Sequence, residues 1–328
     1  MAIGSRDSQP GFSGINRREF FLGAAAAVAA STMSPMVLGQ DFTAAKLDRI
    51  SLMTNNFDGL LPEVWGDWNK QPAPLKMNMM DLPDEVADRL HLHHLEVCNI
   101  NLLSMEPSYI GEFNERMRRA KSKVVDLVVE LDPPATAYRG YISVCSPNPE
   151  VRAHAIEETK KWIDIAAVLG SPSIMPDQGV QYLPGSPART PAGSKTAHHG
   201  PYEGAPWNRE DLQDLTPCIE GLKTVVDYGS AKGVAVIVEP RGEPLDELVY
   251  MLMGSGAHSN PQISTLDGLR LLYPLALTVQ HVGLRSNLAT AIPLSKEVGF
   301  HGWFSVETDG SDAWGETQKV IDELLLYI

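Results

Sequence analysis

The sequence predicts one α/β domain, a single (β/α)8 barrel compressed around its sixth and seventh strands. Three observations lead there. Short β-rich runs alternate with amphipathic helical segments along most of the chain. The run Val234–Val238 is apolar at every position, the pattern of a strand buried on both faces of a parallel sheet. The 328 residues hold one barrel, which needs about 250 residues, with a leader in front of it. A hydrophobic content of 43% excludes a disordered chain. A doubly wound open sheet is the alternative arrangement, but no Gly-rich dinucleotide fingerprint follows any strand.

Residues 1–40 read as an export leader and linker, and 41–328 as the barrel. Asn16-Arg17-Arg18-Glu19-Phe20-Phe21-Leu22 pairs two arginines with large apolar residues, and an Ala-rich run, Leu22–Ala30, follows. That run has the length of a signal-peptide core and is too short to span a bilayer. The pattern is that of twin-arginine export, with cleavage expected between Ala30 and Gln40 and a destination in the periplasm or cell envelope. No stable membrane insertion is expected once the leader is gone.

The first strand is expected at Arg49–Thr54, the second at Leu95–Leu102, the third at Tyr141–Val144 and the fourth at Ser171–Met175. Val234–Val238 is the fifth, Gln262–Thr265 the sixth, Thr278–Val282 the seventh and Gly302–Val306 the eighth. Between them, Pro149–Leu169 repeats apolar residues at helical spacing and is closed by Gly170. Leu212, Leu215, Ile219, Leu222 and Val226 share another helical face, which Gly229 and Gly233 are expected to end. Leu266–Leu275 reads as a short helix, Pro293 as the opening residue of another, and Trp314–Leu326 as the closing helix.

The net charge is −14. Removing residues 1–40 takes away three arginines and two acids, leaving −15. Such a field repels phosphate backbones and anionic lipid surfaces, which argues against a nucleic-acid partner. Cys98, Cys145 and Cys218 are odd in number and widely spaced, without a zinc or disulfide framework. Cys98 and Cys145 sit in strand-like runs and read as buried thiols, with a single disulfide as the alternative.

Barrels of this kind work at the C-terminal ends of their strands. The fifth strand runs into Glu239-Pro240-Arg241-Gly242 and the eighth into Glu307-Thr308-Asp309-Gly310. Two carboxylates at one mouth suit acid–base work beside a carbonyl, or a hard divalent cation. The plainer alternative is that each caps a neighbouring loop or that one pairs with Arg241. Asp177 to Arg209 form a long Pro/Gly/Ser-rich loop with Tyr182, His198, His199, Tyr202 and Trp207. Asp177 and Gln178 in it are candidates for binding hydroxyl groups, and Arg241 and Arg285 for binding an anionic group. Asn101 is the second strand's candidate for ligand contact, and Trp65 and Trp68 are candidates for lining the same mouth.

Three stretches, Trp162–Pro172, Gly233–Gly242 and Gly299–Glu307, resemble the sugar phosphate isomerase/epimerase family, the xylose-isomerase-like barrels. The likeness runs from about Leu47 to the C-terminus. It implies a small sugar-like substrate and an isomerase or epimerase that moves a proton between adjacent carbons, with Glu239 and Glu307 as the acid–base pair. It also implies a divalent metal (manganese, magnesium or zinc), for which Glu239 and Glu307 stand at matching positions. Asp267, whose plainer role is to cap a helix start, and His281, which strand alternation points to the other face and which reads equally as a structural histidine, are the candidates for the other two ligands. The sequence departs from the family where Gly283 replaces the usual seventh-strand histidine ligand and Arg241 replaces a histidine. Those departures support a second reading, a non-catalytic carbohydrate-binding barrel with a degenerate metal site. A zinc endonuclease branch shares the fold but is rich in His and acidic ligands that this chain lacks.

Overall fold

The computed structural model describes residues 46–57, 59–62, 76–131, 143–146, 148–176, 216–237, 270, 273–282, 288–308 and 312–328. Its strands are β1 (Ile50–Met53), β2 (His94–Cys98), β3 (Lys123–Val129), β4 (Ser173–Pro176), β5 (Ala235–Val236), β6 (Thr278–Val282) and β7 (Trp303–Val306). They form one parallel sheet in the order β5-β4-β3-β2-β1-β7-β6. The expected (β/α)8 class holds. In an eight-stranded barrel one further strand separates β5 from β6; the candidate for it, Gln262–Thr265, lies outside the described residues.

The sheet curls. Thr278 on β6 donates a hydrogen bond to Glu96 Oε2 on β2 at 3.2 Å, although β1 and β7 lie between those strands in the sheet. Only inner-face side chains of a curled sheet can meet in that way. The chain therefore has two apolar layers. Outside the sheet, Leu52, Leu95, Leu127 and Phe304 pack against the helices in the main core. Inside, Met53, Cys98, Ile100, Val128 and Met175 form a separate cluster against which Ile237 packs. Strands buried on both faces explain the near-continuous apolar runs in the sequence.

The helices are α1 (Leu82–Leu90), α2 (Pro107–Arg119), α3 (Pro149–Leu169), α4 (Thr216–Lys232), α5 (Leu288–Glu297) and α6 (Ala313–Tyr327). α3 matches its expected limits, and the cause is local. Asn148 caps its start by accepting from the Glu150 and Val151 backbone N–H groups at 3.0 and 3.4 Å. Pro149 occupies the first turn, and Gly170 at φ +69° takes the left-handed conformation that ends the helix. Trp162, Ile163 and Ala166 lie on its buried face.

Several expectations are corrected. The third strand is Lys123–Val129, not Tyr141–Val144; Ser143 is irregular and Val144 sits in a turn, while Tyr141 and Ile142 lie outside the described residues. The run Lys-Val-Val-Asp-Leu-Val-Val forms this strand although the charged Asp126 interrupts its apolar pattern. Gly229 does not end α4 but lies inside it, where a Cβ would come within 2.6 Å of the Val234 carbonyl oxygen. Glycine there permits a close approach of helix to strand. Pro293 lies inside α5 rather than at its start. Burial of Leu288, Ile292 and Leu294 outweighs the backbone bond that the proline forgoes. Cys145 is disulfide-bonded rather than a thiol, whereas Cys98 is a buried thiol outside any disulfide. Of the helix expected at Leu266–Leu275, Arg270 is helical and Tyr273–Leu275 is a 3-10 turn.

Among the described residues no helix is long and apolar enough to cross a membrane. The leader and linker, residues 1–40, lie outside the described residues.

His94 at the start of β2 faces Trp303 with ring centroids 5.8 Å apart. Burial pushes its pKa down to about 4, helped by Lys123 and His93 and opposed by Asp48. Because the folded value lies below the unfolded value of about 6.5, the unfolded chain takes up a proton that the folded chain refuses. Stability is therefore full above about pH 6.5 and falls as the pH drops toward 4. Urea unfolding between pH 7 and pH 4.5 should show this decline, reduced in His94→Gln; an equal decline in that variant refutes the assignment.

Candidate functional site

At the C-terminal ends of the strands, backbone groups leave the sheet ladder and need other partners. Four buried side chains supply them. In the 3-10 turn Thr54–Phe57 that follows β1, the Thr54 hydroxyl donates to Asn101 Oδ1 at 2.6 Å and accepts from the Cys98 N–H at 2.9 Å. Asn56 of the same turn donates to the Val306 carbonyl at 2.9 Å and accepts from the Thr308 N–H at 2.7 Å. Asn99 clamps the end of β3, donating to the Glu130 carbonyl at 3.0 Å and accepting from its N–H at 2.9 Å. Asn101 donates to the Pro62 carbonyl at 3.1 Å. The ends of β1, β2, β3 and β7 are thus tied by short polar side chains.

Inside the barrel lies a polar layer. Glu96 and Asp126 are register partners on β2 and β3, so their side chains share the inner face, and both are fully buried. The Ser173 hydroxyl on β4 donates to Asp126 Oδ1 at 2.5 Å. Ser51 and Ser305, paired on β1 and β7, are buried on the inner face too. Burial pushes the Glu96 carboxyl well above the usual carboxylate range, and the Asp126 and Glu307 charges add to this. The Ser305 and Thr278 hydroxyls oppose the rise.

Glu307 directly follows β7, at the expected C-terminal end of its strand, and is half-buried. Asn101 is fully buried, with both ends of its amide engaged at the rim. His281 lies within β6. Glu239, Asp267, Asp177, Gln178, Arg241 and Arg285 lie outside the described residues, as do Trp65, Trp68 and the long loop after β4. Among the described residues no three His, Cys, Asp or Glu side chains are grouped to hold a metal ion. Sequence reasoning missed Asp126 altogether, because its strand was placed elsewhere. The signal was present: a lone carboxylate inside a seven-residue run with five Val or Leu residues.

A family model described as "Xylose isomerase-like TIM barrel" matches residues 65–259, more than half of the chain. Solved structures share the fold at low identity. D-psicose 3-epimerase from Clostridium cellulolyticum H10, solved with D-tagatose, is 12% identical with a TM-score of 0.58, over 85% of this chain and 99% of that one. D-allulose 3-epimerase from a Methylomonas species, solved with D-allulose, is 12% identical with a TM-score of 0.54, over 86% and 98%. A xylose isomerase-like TIM barrel protein from Mycobacterium smegmatis, in complex with magnesium, is 14% identical with a TM-score of 0.53, over 85% and 96%. No curated protein matches the chain.

The raised value of Glu96 has a definite sign. Its folded pKa lies above the unfolded one, so its contribution to stability is present at low pH and is lost as the pH rises past the unfolded carboxylate range. Glu96→Gln keeps the shape and an N–H donor for Asp126 while removing the ionisation. Its thermal midpoint should exceed that of the wild type at pH 8, and the gain should shrink toward pH 4. A variant less stable at pH 8 counts against the assignment.

Proposed function

We infer that this chain, which belongs to the xylose isomerase-like TIM barrel family, is a sugar isomerase or epimerase moving a proton between neighbouring carbons of a sugar or polyol. The observation that carries this reading is Glu307, a half-buried carboxylate at a strand's C-terminal end with its backbone held on both sides. The D-allulose and D-tagatose complexes of epimerases with this fold support a ketose-like substrate.

In this reading Glu307 and Glu239 flank a carbon next to a carbonyl. One carboxylate takes the proton from that carbon, the C–H electron pair moves into an enediolate, and the other group, protonated, returns a proton. Return to the opposite face of the same carbon gives the epimer. Return to the former carbonyl carbon, with the hydroxyl proton passing to the other oxygen, gives the isomer. Neither outcome needs an oxidant. Asp177 and Gln178 are assigned to substrate hydroxyls and Arg241 and Arg285 to an anionic group; Asn101, the second strand's candidate for ligand contact, instead engages both ends of its amide with the segment after β1. The donor set Glu239, Asp267, His281 and Glu307 suits a divalent cation such as manganese, magnesium or zinc, which when bound would polarise the substrate carbonyl. The magnesium complex of the Mycobacterium smegmatis protein supports this assignment.

Proton exchange from D-allulose, D-fructose and D-tagatose into D2O, followed by NMR, tests the reaction directly. Wild type should exchange one carbon-bound proton, and Glu307→Gln and Glu239→Gln should each slow exchange by about a hundredfold or more. Full activity in both variants overturns the assignment. Gly283, standing where a histidine ligand is expected, favours the second reading, a carbohydrate-binding barrel without chemistry. Sugar binding that persists in excess chelator, with no exchange, selects that reading.

We also propose that the chain is exported by the twin-arginine route to the periplasm or cell envelope. The paired Arg17 and Arg18 and the disulfide at Cys145 both support it. Replacing both arginines with lysine should leave the protein in the cytoplasm of its producing cell. Unchanged export of that variant refutes the route.

A further inference from the structure

We propose that Asn56 is a positioning residue for Glu307, setting the direction in which that carboxylate enters the barrel mouth. The link from positioning to turnover rests on the proton-transfer reading above. β7 ends at Val306, and Glu307 is the first residue beyond it. Asn56 takes over: its Nδ2 donates to the Val306 carbonyl at 2.9 Å and its Oδ1 accepts from the Thr308 N–H at 2.7 Å. These two groups stand immediately before and after Glu307. Holding both fixes the peptide planes on either side of that residue, and with them the direction of its Cα–Cβ bond.

The residue type is specific. Asparagine carries a donor and an acceptor on one planar group, so it mimics the edge of a neighbouring strand. Aspartate keeps the acceptor and loses the donor, and glutamine is longer by a methylene. Asn56 is itself well anchored. It is fully buried, and Nδ2 also lies 3.4 Å from the Thr317 hydroxyl on α6. Phe57 beside it packs on Trp314 of the same helix with ring centroids 4.6 Å apart. The turn therefore transmits the place of α6 to the end of β7.

The test compares Asn56→Ala and Asn56→Asp with Asn99→Ala, which removes the analogous clamp on Glu130 at the end of β3. NMR on the full chain reads amide exchange at Thr308 and the three-bond couplings across χ1 of Glu307. Asn56→Ala should speed Thr308 exchange by about tenfold or more relative to Phe304, and should average the Glu307 couplings. Asn56→Asp should restore most of the Thr308 protection, and it decides the question if the alanine variant does not fold. Asn99→Ala should leave both readouts at Glu307 and Thr308 unchanged. Unchanged exchange and couplings in the Asn56 variants, or equal changes in Asn99→Ala, overturn the proposal. If the wild type exchanges substrate protons, Asn56→Ala should lower kcat by about ten- to a hundredfold and move KM less than about threefold. If it exchanges none, the proton-transfer reading fails, while the two NMR readouts still decide the positioning.

Discussion

A parallel sheet that curls until β2 and β6 face each other gives its strands β1 to β4 two buried sides. A polar side chain buried on the inner side costs free energy unless a neighbouring strand supplies its partner. Glu96 shows the consequence. Its carboxyl sits beside Asp126, takes a hydrogen bond from Thr278 across the interior and is held well above the usual carboxylate range by its burial. The apolar cluster of Met53, Cys98, Val128 and Met175 occupies the same interior, so polar and apolar side chains share the inside of the barrel.

The mouth obeys the same rule in a different form. Strand ends expose N–H and C=O groups that have lost their ladder, and in this chain Thr54, Asn56, Asn99 and Asn101 satisfy them. A rim capped by short, buried side chains gives a residue such as Glu307 a backbone of settled direction. The proton transfer proposed for this protein needs that, because acid–base groups act only within hydrogen-bond reach of the atom they serve. In this barrel, satisfying backbone groups and aiming a carboxylate are served by the same contacts.

Much of the fold was legible in the sequence because local chemistry decided it. Asn148, Pro149 and Gly170 mark the limits of α3, and the apolar runs at β1, β4, β5, β6 and β7 were recognised within a few residues of their observed ends. Errors arose where tertiary packing overrode the local signal. Asp126 made β3 look unlike a buried strand, yet its partner Ser173 lies on another strand that sequence proximity does not reveal. Pro293 resembles a helix start, but buried neighbours carry α5 through it.

The site divides in the same way. Sequence alone placed Glu307 at the end of a strand, since a strand followed by Glu-Thr-Asp-Gly has an evident boundary, and it marked Glu239, Asp267 and His281 by their likeness to a family. It also determined the acidic charge and the twin-arginine pattern, which depend on composition and order only. Tertiary structure decided that Glu96 meets Thr278 across 182 positions of chain. It likewise decided that Asn56 holds the backbone on both sides of Glu307 from 252 positions away. Such pairings depend on how far the sheet curls and how its strands register. Those are properties of the assembled barrel, and no local stretch of sequence encodes them.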